Sequence, residues 1–260
     1  MAKKEKGFSV ETESLKDFLR RVFLNGAVDS CVLEIDDEGF AEVYAVDVSN
    51  VLFLYVSEDL GIEDEMEIGL GNLDLLNKFV STIKEDKVSV SIDKNRLVIA
   101  RDKFGRLDYL LTSAELVPTA LEEKEDTIEK LMDACTIEVI LNADFAATLA
   151  SYYSMVKAKE ITLKYIDGNF YVVGGTDTGH KYEIPIDGEV NAVEGENEED
   201  DFTVSVYGDF FLSILGVLDF DEEPKLMLAP NSPAVIVQGE DNENVWGIAP
   251  ISIEGGGDED

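Results

Sequence analysis

The sequence predicts an α+β protein built from four β-α-β-β-β units, two in each of two similar domains. Three observations carry this expectation. Helix-like stretches begin near residues 12, 72, 143 and 208, each preceded by one strand-like run and followed by three. The second pair of helices follows the first by about 131 to 136 residues, the mark of a duplicated two-unit block. Each helix keeps one apolar stripe, so all four lie on a sheet and show one polar face to solvent.

In the first unit, residues 8–11 read as a short strand. Thr12 to Leu24 follow as a helix with Leu15, Phe18, Leu19 and Val22 at i, i+3, i+4, i+7. Asn25-Gly26 supplies its stop. Strands are expected over Ser30–Ile35, Phe40–Val46 and Val51–Ser57. In the second unit Met66–Leu70 is a strand and Asn72–Lys84 a helix, with strands Lys87–Ile92, Arg96–Arg101 and Arg106–Thr112 after it.

Residues 113–133 break the rhythm with Pro118, many acids and no clean period, and read as a linker. The domains are therefore expected at 1–112 and 134–252, with an acidic tail at 253–260. The third unit runs from strand Thr136–Leu141 through a helix Ala143–Lys157, entered at the N-cap Asn142. The core face of that helix reads as Phe145, Leu149, Tyr152, Tyr153 and Val156. Strands Ile161–Ile166, Phe170–Gly174 and Lys181–Ile186 complete the unit. The fourth has strand Phe202–Val206, helix Asp209–Leu218, and strands Lys225–Leu228, Ala234–Gln238 and Val245–Ile248.

Composition narrows the function. A net charge of −35 argues against a chain that grips phosphates over its whole surface. The charge is uneven: 14 of the 21 Lys and Arg precede residue 110, while residues 194–201 carry six acids and no base. That run reads as a solvated loop and fits no EF-hand spacing. No apolar run approaches the roughly 18 residues of a membrane span. Cys31 and Cys135 sit in apolar strand contexts, as buried thiols of an intracellular protein do.

No catalytic or cofactor signature is present. His180 is the single histidine and reads as a surface residue beside Gly179. Gly69-Leu70-Gly71-Asn72 lacks the third glycine of a dinucleotide fingerprint and reads as a strand-to-helix turn. There is no P-loop, no GxSxG and no Cys/His metal spacing, so neither an enzyme nor a cofactor or metal site is expected. A cation-dependent hydrolase built on scattered carboxylates has no motif behind it.

Three short stretches go further. Ala45-Val46-Asp47-Val48-Ser49-Asn50-Val51 resembles the Ala-Met-Asp-Pro-Ser-x-Val turn of the two-domain DNA polymerase sliding clamps, the family of proliferating cell nuclear antigen and its archaeal and T-even phage counterparts. Trp246-Gly247-Ile248-Ala249-Pro250-Ile251 is similar to that family's closing Tyr-Tyr-Leu-Ala-Pro-x-Ile. Residues 231–237, Asn-Ser-Pro-Ala-Val-Ile-Val, resemble the strand before it. The order of elements matches over residues 8–251. Val for Met at 46, Val for Pro at 48 and Gly for an aromatic at 247 are the departures.

The resemblance implies two DNA-clamp domains, with helices on the inner face of a ring and antiparallel sheets outside. It implies a non-enzymatic processivity factor: a homotrimer, joined by Arg106–Thr112 of one copy and Lys181–Ile186 of the next, encircling double-stranded DNA at replicating sites. The expected DNA-facing bases are Lys16, Arg20, Arg21, Lys78, Lys84, Lys157 and Lys159; the fourth helix carries none. The expected docking positions for DNA polymerase and other partners bearing a short hydrophobic motif are Val46, Asn50, Val51, Ile128, Leu131, Pro233, Gly247, Ile248 and Ala249, between the domains and under the linker. A clamp loader is the further implied partner. The alternative that composition supports is an acidic β-rich interaction protein or DNA mimic, acting as a monomer or dimer.

Overall fold

The structure, a computed structural model, describes residues 7–62, 64–101, 105–117, 124–175, 179–186, 190–192, 201–239 and 243–251. Two compact units divide the chain. One comprises residues 1–124 and 240–245, the other 125–239 and 246–260.

The first unit contains β1 (Gly7–Glu11), α1 (Thr12–Phe23), β2 (Cys31–Ile35), β3 (Phe40–Val46) and β4 (Leu52–Asp59). A second pass of the same pattern gives β5 (Met66–Leu70), α2 (Leu73–Ser81), β6 (Lys87–Asp93), β7 (Arg96–Arg101) and β8 (Gly105–Leu110). Helix α1 forms where the sequence places it, burying Leu15, Phe18, Leu19 and Val22. It ends because Leu24, Asn25 and Gly26 all take positive φ. Helix α2 is shorter than expected. Asn72 stays outside as the N-cap, its Oδ1 accepting from Leu75 N at 3.0 Å, and the helix stops at Ser81.

The two repeats are interleaved. β1 leaves its own repeat and pairs antiparallel with β6, Val10 opposite Val88, to give the sheet order β1-β6-β7-β8. β5 pairs in return with β2, Leu33 opposite Ile68, beside β3 and β4. Each three-strand meander thus has one apolar edge covered by the other repeat's first strand. Helices α1 and α2 pack on each other, and α1 also packs on β4.

The second unit begins in α3 (Lys124–Asp133) and continues with β9 (Ile137–Ile140), α4 (Ala143–Val156), β10 (Glu160–Ile166), β11 (Asn169–Gly175), β12 (Lys181–Pro185) and β13 (Val190–Ala192). It ends with β14 (Phe202–Tyr207), α5 (Gly208–Leu215), β15 (Lys225–Leu228), β16 (Ala234–Gln238) and β17 (Asn244–Ile248), whose first two residues belong to the first unit. The exchange recurs here: β9 pairs with β15, and β14 pairs with β10. Asn142 caps α4, its Oδ1 accepting from Phe145 N at 2.8 Å.

Three further features depart from the sequence reading. The stretch expected to be linker includes the helix α3, whose Ile128 is buried and whose Leu131 carbonyl accepts from Cys135 Sγ. β13 adds a short strand to β9. On α4 the buried face is only Phe145 and Leu149. Tyr152 is exposed, and Tyr153 and Val156 are half-buried. The acidic stretch 194–200 and the termini 1–6 and 252–260 lie outside the described residues. No helix among the described residues is long and apolar enough to cross a membrane.

Candidate functional site

The turn after β3 is organised by one carboxylate. Asp47 is 4% exposed, yet its side chain has four donors. Oδ1 accepts from the Val51 and Leu52 backbone N–H groups, both at 2.7 Å, and Oδ2 from Ser49 N at 2.9 Å and from the Ser49 hydroxyl. Burial alone would raise the Asp47 pKa. The bonds from Leu52, Ser49 and Val51 outweigh it and hold the carboxyl below its ordinary range. The main chain closes the turn through Asp47 N to Leu52 O and Asn50 N to Asp47 O, both 3.0 Å, with Asn50 at φ 56°.

This geometry decides what the turn presents. Val46 and Val51 are half-buried at its base and Asn50 is exposed. Val48, where the family's proline stands, is 89% exposed at the tip. It is an apolar side chain held out by a hydrogen-bonded turn, and no periodic signal in the sequence marked it. Leu116, on the short 3-10 turn Ala114–Leu116, is also strongly exposed.

The expected docking residues of the second unit divide by burial. Leu131, Pro233 and Ala249 are half-buried. Ile128, Gly247 and Ile248 are buried, the last two inside β17, so they offer core packing and not side-chain surface.

The expected DNA-facing bases also divide. Arg21 is turned inward: its guanidinium pairs with Glu58, and Nη1 donates to Asn244 Oδ1 at 3.1 Å. Lys16 is half-buried and pairs with Glu13 at 2.7 Å. Arg20 and Lys78 are exposed but each has a carboxylate one turn away, Asp17 at 3.3 Å and Asp74 at 2.7 Å. Lys84, Lys157 and Lys159 are exposed. Lys157 is the left-handed cap of α4, and with Lys159 and exposed His180 it lines a polar recess of about 380 Å³. Helices α4 and α5 carry no base; between them Tyr153 donates to Asp209 Oδ1.

In the first unit the sheet carries a row of acids. The register sets Glu42 of β3 beside Glu34 of β2, and Glu34 beside Glu67 of β5. Like charges so placed repel one another and any polyanion. The described residues contain no group of three or more His, Cys, Asp or Glu that could hold a metal ion.

No family model and no curated protein matches the chain. Solved structures do. A DNA polymerase III β subunit from Thermotoga maritima aligns with TM-score 0.70 at 11% identity, over 97% of this chain and 67% of its own. Proliferating cellular nuclear antigen from Entamoeba histolytica aligns with TM-score 0.69 at 14% identity, over 95% of this chain and 98% of its own. The DNA polymerase sliding clamp of Pseudomonas aeruginosa aligns with TM-score 0.70 at 15% identity, over 95% of this chain and 67% of its own. Identities this low speak for architecture: the chain has the fold of the DNA polymerase sliding clamps.

Proposed function

We propose that this chain is a non-enzymatic DNA sliding clamp. Copies join head to tail into a closed ring, three to a ring, and the ring encircles duplex DNA and tethers a polymerase. The observation that carries the proposal is the fold likeness over nearly the whole chain, with the near-complete two-way coverage of the Entamoeba protein favouring the two-domain type. Encirclement also reconciles DNA binding with a charge of −35, because a ring holds DNA without high affinity. Contact with phosphates falls to Arg20, Lys78, Lys84, Lys157 and Lys159. Partner peptides with a short hydrophobic motif dock at the Asp47 turn, through Val46, Val48 and Val51.

The test is primer extension on circular primed DNA with polymerase and clamp loader. Longer products per binding event with this protein are expected, and unchanged product length overturns the proposal. The acidic composition supports a second reading, a monomeric or dimeric DNA mimic that binds a basic protein. Light scattering separates the two, with a trimer mass expected for the ring.

A further inference from the structure

We propose that the first unit holds a binding site for a small apolar molecule, in a cavity of about 40 Å³ enclosed by both of its helices and by strands of both of its sheets. Phe18 of α1, Leu76 of α2, Leu33 of β2, Ile68 of β5 and Ile99 of β7 line it, and all five are buried. The site lies within one unit, so it does not depend on ring formation.

The duplicated pattern shows what the first unit leaves out. In the second unit Tyr165 of β10 stands opposite Phe170 of β11 and Phe202 of β14. Their rings pack together, that of Tyr165 lying 5.4 Å from Phe170 and 5.6 Å from Phe202. The matching set in the first unit is Ile35 of β2, opposite Ala41 of β3 and Met66 of β5. A branched chain, a methyl and a thioether thus stand where the other unit has three rings. Two residues further along, the pairs are aliphatic in both units, Leu33 with Ile68 and Leu163 with Val204. Interiors pack to the density of organic crystals, so side chains too small for their space leave a void. Ile35 and Met66 both line the cavity, where the rings are missing.

The lining decides what can enter. Ser91 contributes a hydroxyl, and the other lining side chains are apolar. The main chain of β1, β2, β5, β6 and β7 is engaged in ladders. A buried water needs roughly two to four polar partners, so water is a poor occupant. One water-sized group takes about 10–15 Å³, and the cavity therefore admits roughly three non-hydrogen atoms. An apolar guest of that size, such as xenon or cyclopropane, gives up no hydrogen bond on entry and gains dispersion contacts on all sides. Phe8, Met66, Ser91 and Ile92 are the half-buried members of the lining and mark the entrance. Met66, unbranched and flexible, is the side chain that swings aside there.

Methyl spectra of the full chain under xenon test the site. The methyl groups of Leu33, Ile68 and Ile99 are expected to shift and saturate, and those of Leu163 and Val204 to stay in place. Cyclopropane should move the same three residues. Met66→Phe supplies the ring that the second unit has at this position and is expected to weaken xenon binding about tenfold or more. Met66→Ala enlarges the space, and is expected to strengthen xenon binding roughly two- to tenfold and to admit benzene. No saturable shift at the first three residues, or equal shifts in both units, overturns the proposal. So does xenon affinity that neither substitution changes. Should Met66→Phe fail to fold, Met66→Ala decides alone, and unchanged affinity in it overturns the site.

Discussion

Tyr153 on α4 donates its phenolic hydrogen to Asp209 Oδ1 on α5 at 2.6 Å. Burial, and then this carboxylate, push the phenol pKa upward, so the hydroxyl stays a donor at every physiological pH. The two helices approach closely here because residue 208 has no side chain. A Cβ on Gly208 would lie 2.6 Å from Tyr153 Cε2 and 3.0 Å from Ala158 O. Tyr153→Phe is expected to cost about 1 kcal/mol in denaturant unfolding. Gly208→Ala should cost more, roughly 1–3 kcal/mol, because backbone must shift to admit the methyl. Equal effects from the two would show that the close approach is not tight.

Arg21 and Lys78 both lie on helices expected to face DNA, yet only Lys78 is exposed. Arg21→Met strips Glu58 and Asn244 of a shared donor and is expected to destabilise the protein by roughly 2–3 kcal/mol. Lys78→Ala with Lys84→Ala should leave stability within about 0.5 kcal/mol and lower the salt dependence of DNA affinity. Parallel thermal melts and salt titrations check both. A destabilised lysine pair with an unchanged salt slope would reverse the assignment.

The Asp47 turn makes stability depend on acid. Its carboxyl pKa is lowered in the folded protein, so its contribution is fully present above the unfolded value of about 3.9 and is lost as pH falls through the folded value. Asp47→Ala removes an acceptor for three backbone N–H groups and is expected to cost roughly 2–4 kcal/mol at neutral pH. As pH falls from the unfolded value through the lowered folded value, the gap between variant and parent should narrow. Unfolding free energies measured across that window test the sign.

At the same turn, Val48→Asp and Val46→Asp separate contact from support. Val48 touches little within its own chain, so its substitution should leave the melting temperature unchanged and weaken a docked hydrophobic peptide by about tenfold or more in calorimetry. Val46 is half-buried and should lose both affinity and stability. Full affinity in both variants would remove the turn from the docking surface.

Much of this was legible before any coordinates. The helices α1, α2 and α4 announced themselves through apolar spacing or an Asn cap, and strand-like apolar runs marked β6, β7 and β10 through β12. What escaped was tertiary in origin. Exchange of β1 and β14 between repeats leaves no trace in local sequence, since a strand's pattern records that it is covered and not by which partner. Helix α3 was hidden because, among its described side chains, Ile128 alone is buried. Arg21 looked like its neighbour Arg20; the difference is Glu58 and Asn244, distant in sequence. Among the docking residues, burial of Gly247 and Ile248 depends on β17 lying inside a sheet, which composition alone does not reveal.

Residues 243–245, close to the end of the chain, belong to the first unit. Ser57 N on β4 donates to Glu243 O at 2.9 Å, and Asn244 receives Arg21 from α1. On the ribosome this has a consequence for timing. β1 waits for β6 before its edge is covered, but Ser57 and Arg21 wait for Glu243 and Asn244, which follow the bulk of the second unit in the chain. The first unit to begin synthesis is thus finished only after most of the second has emerged.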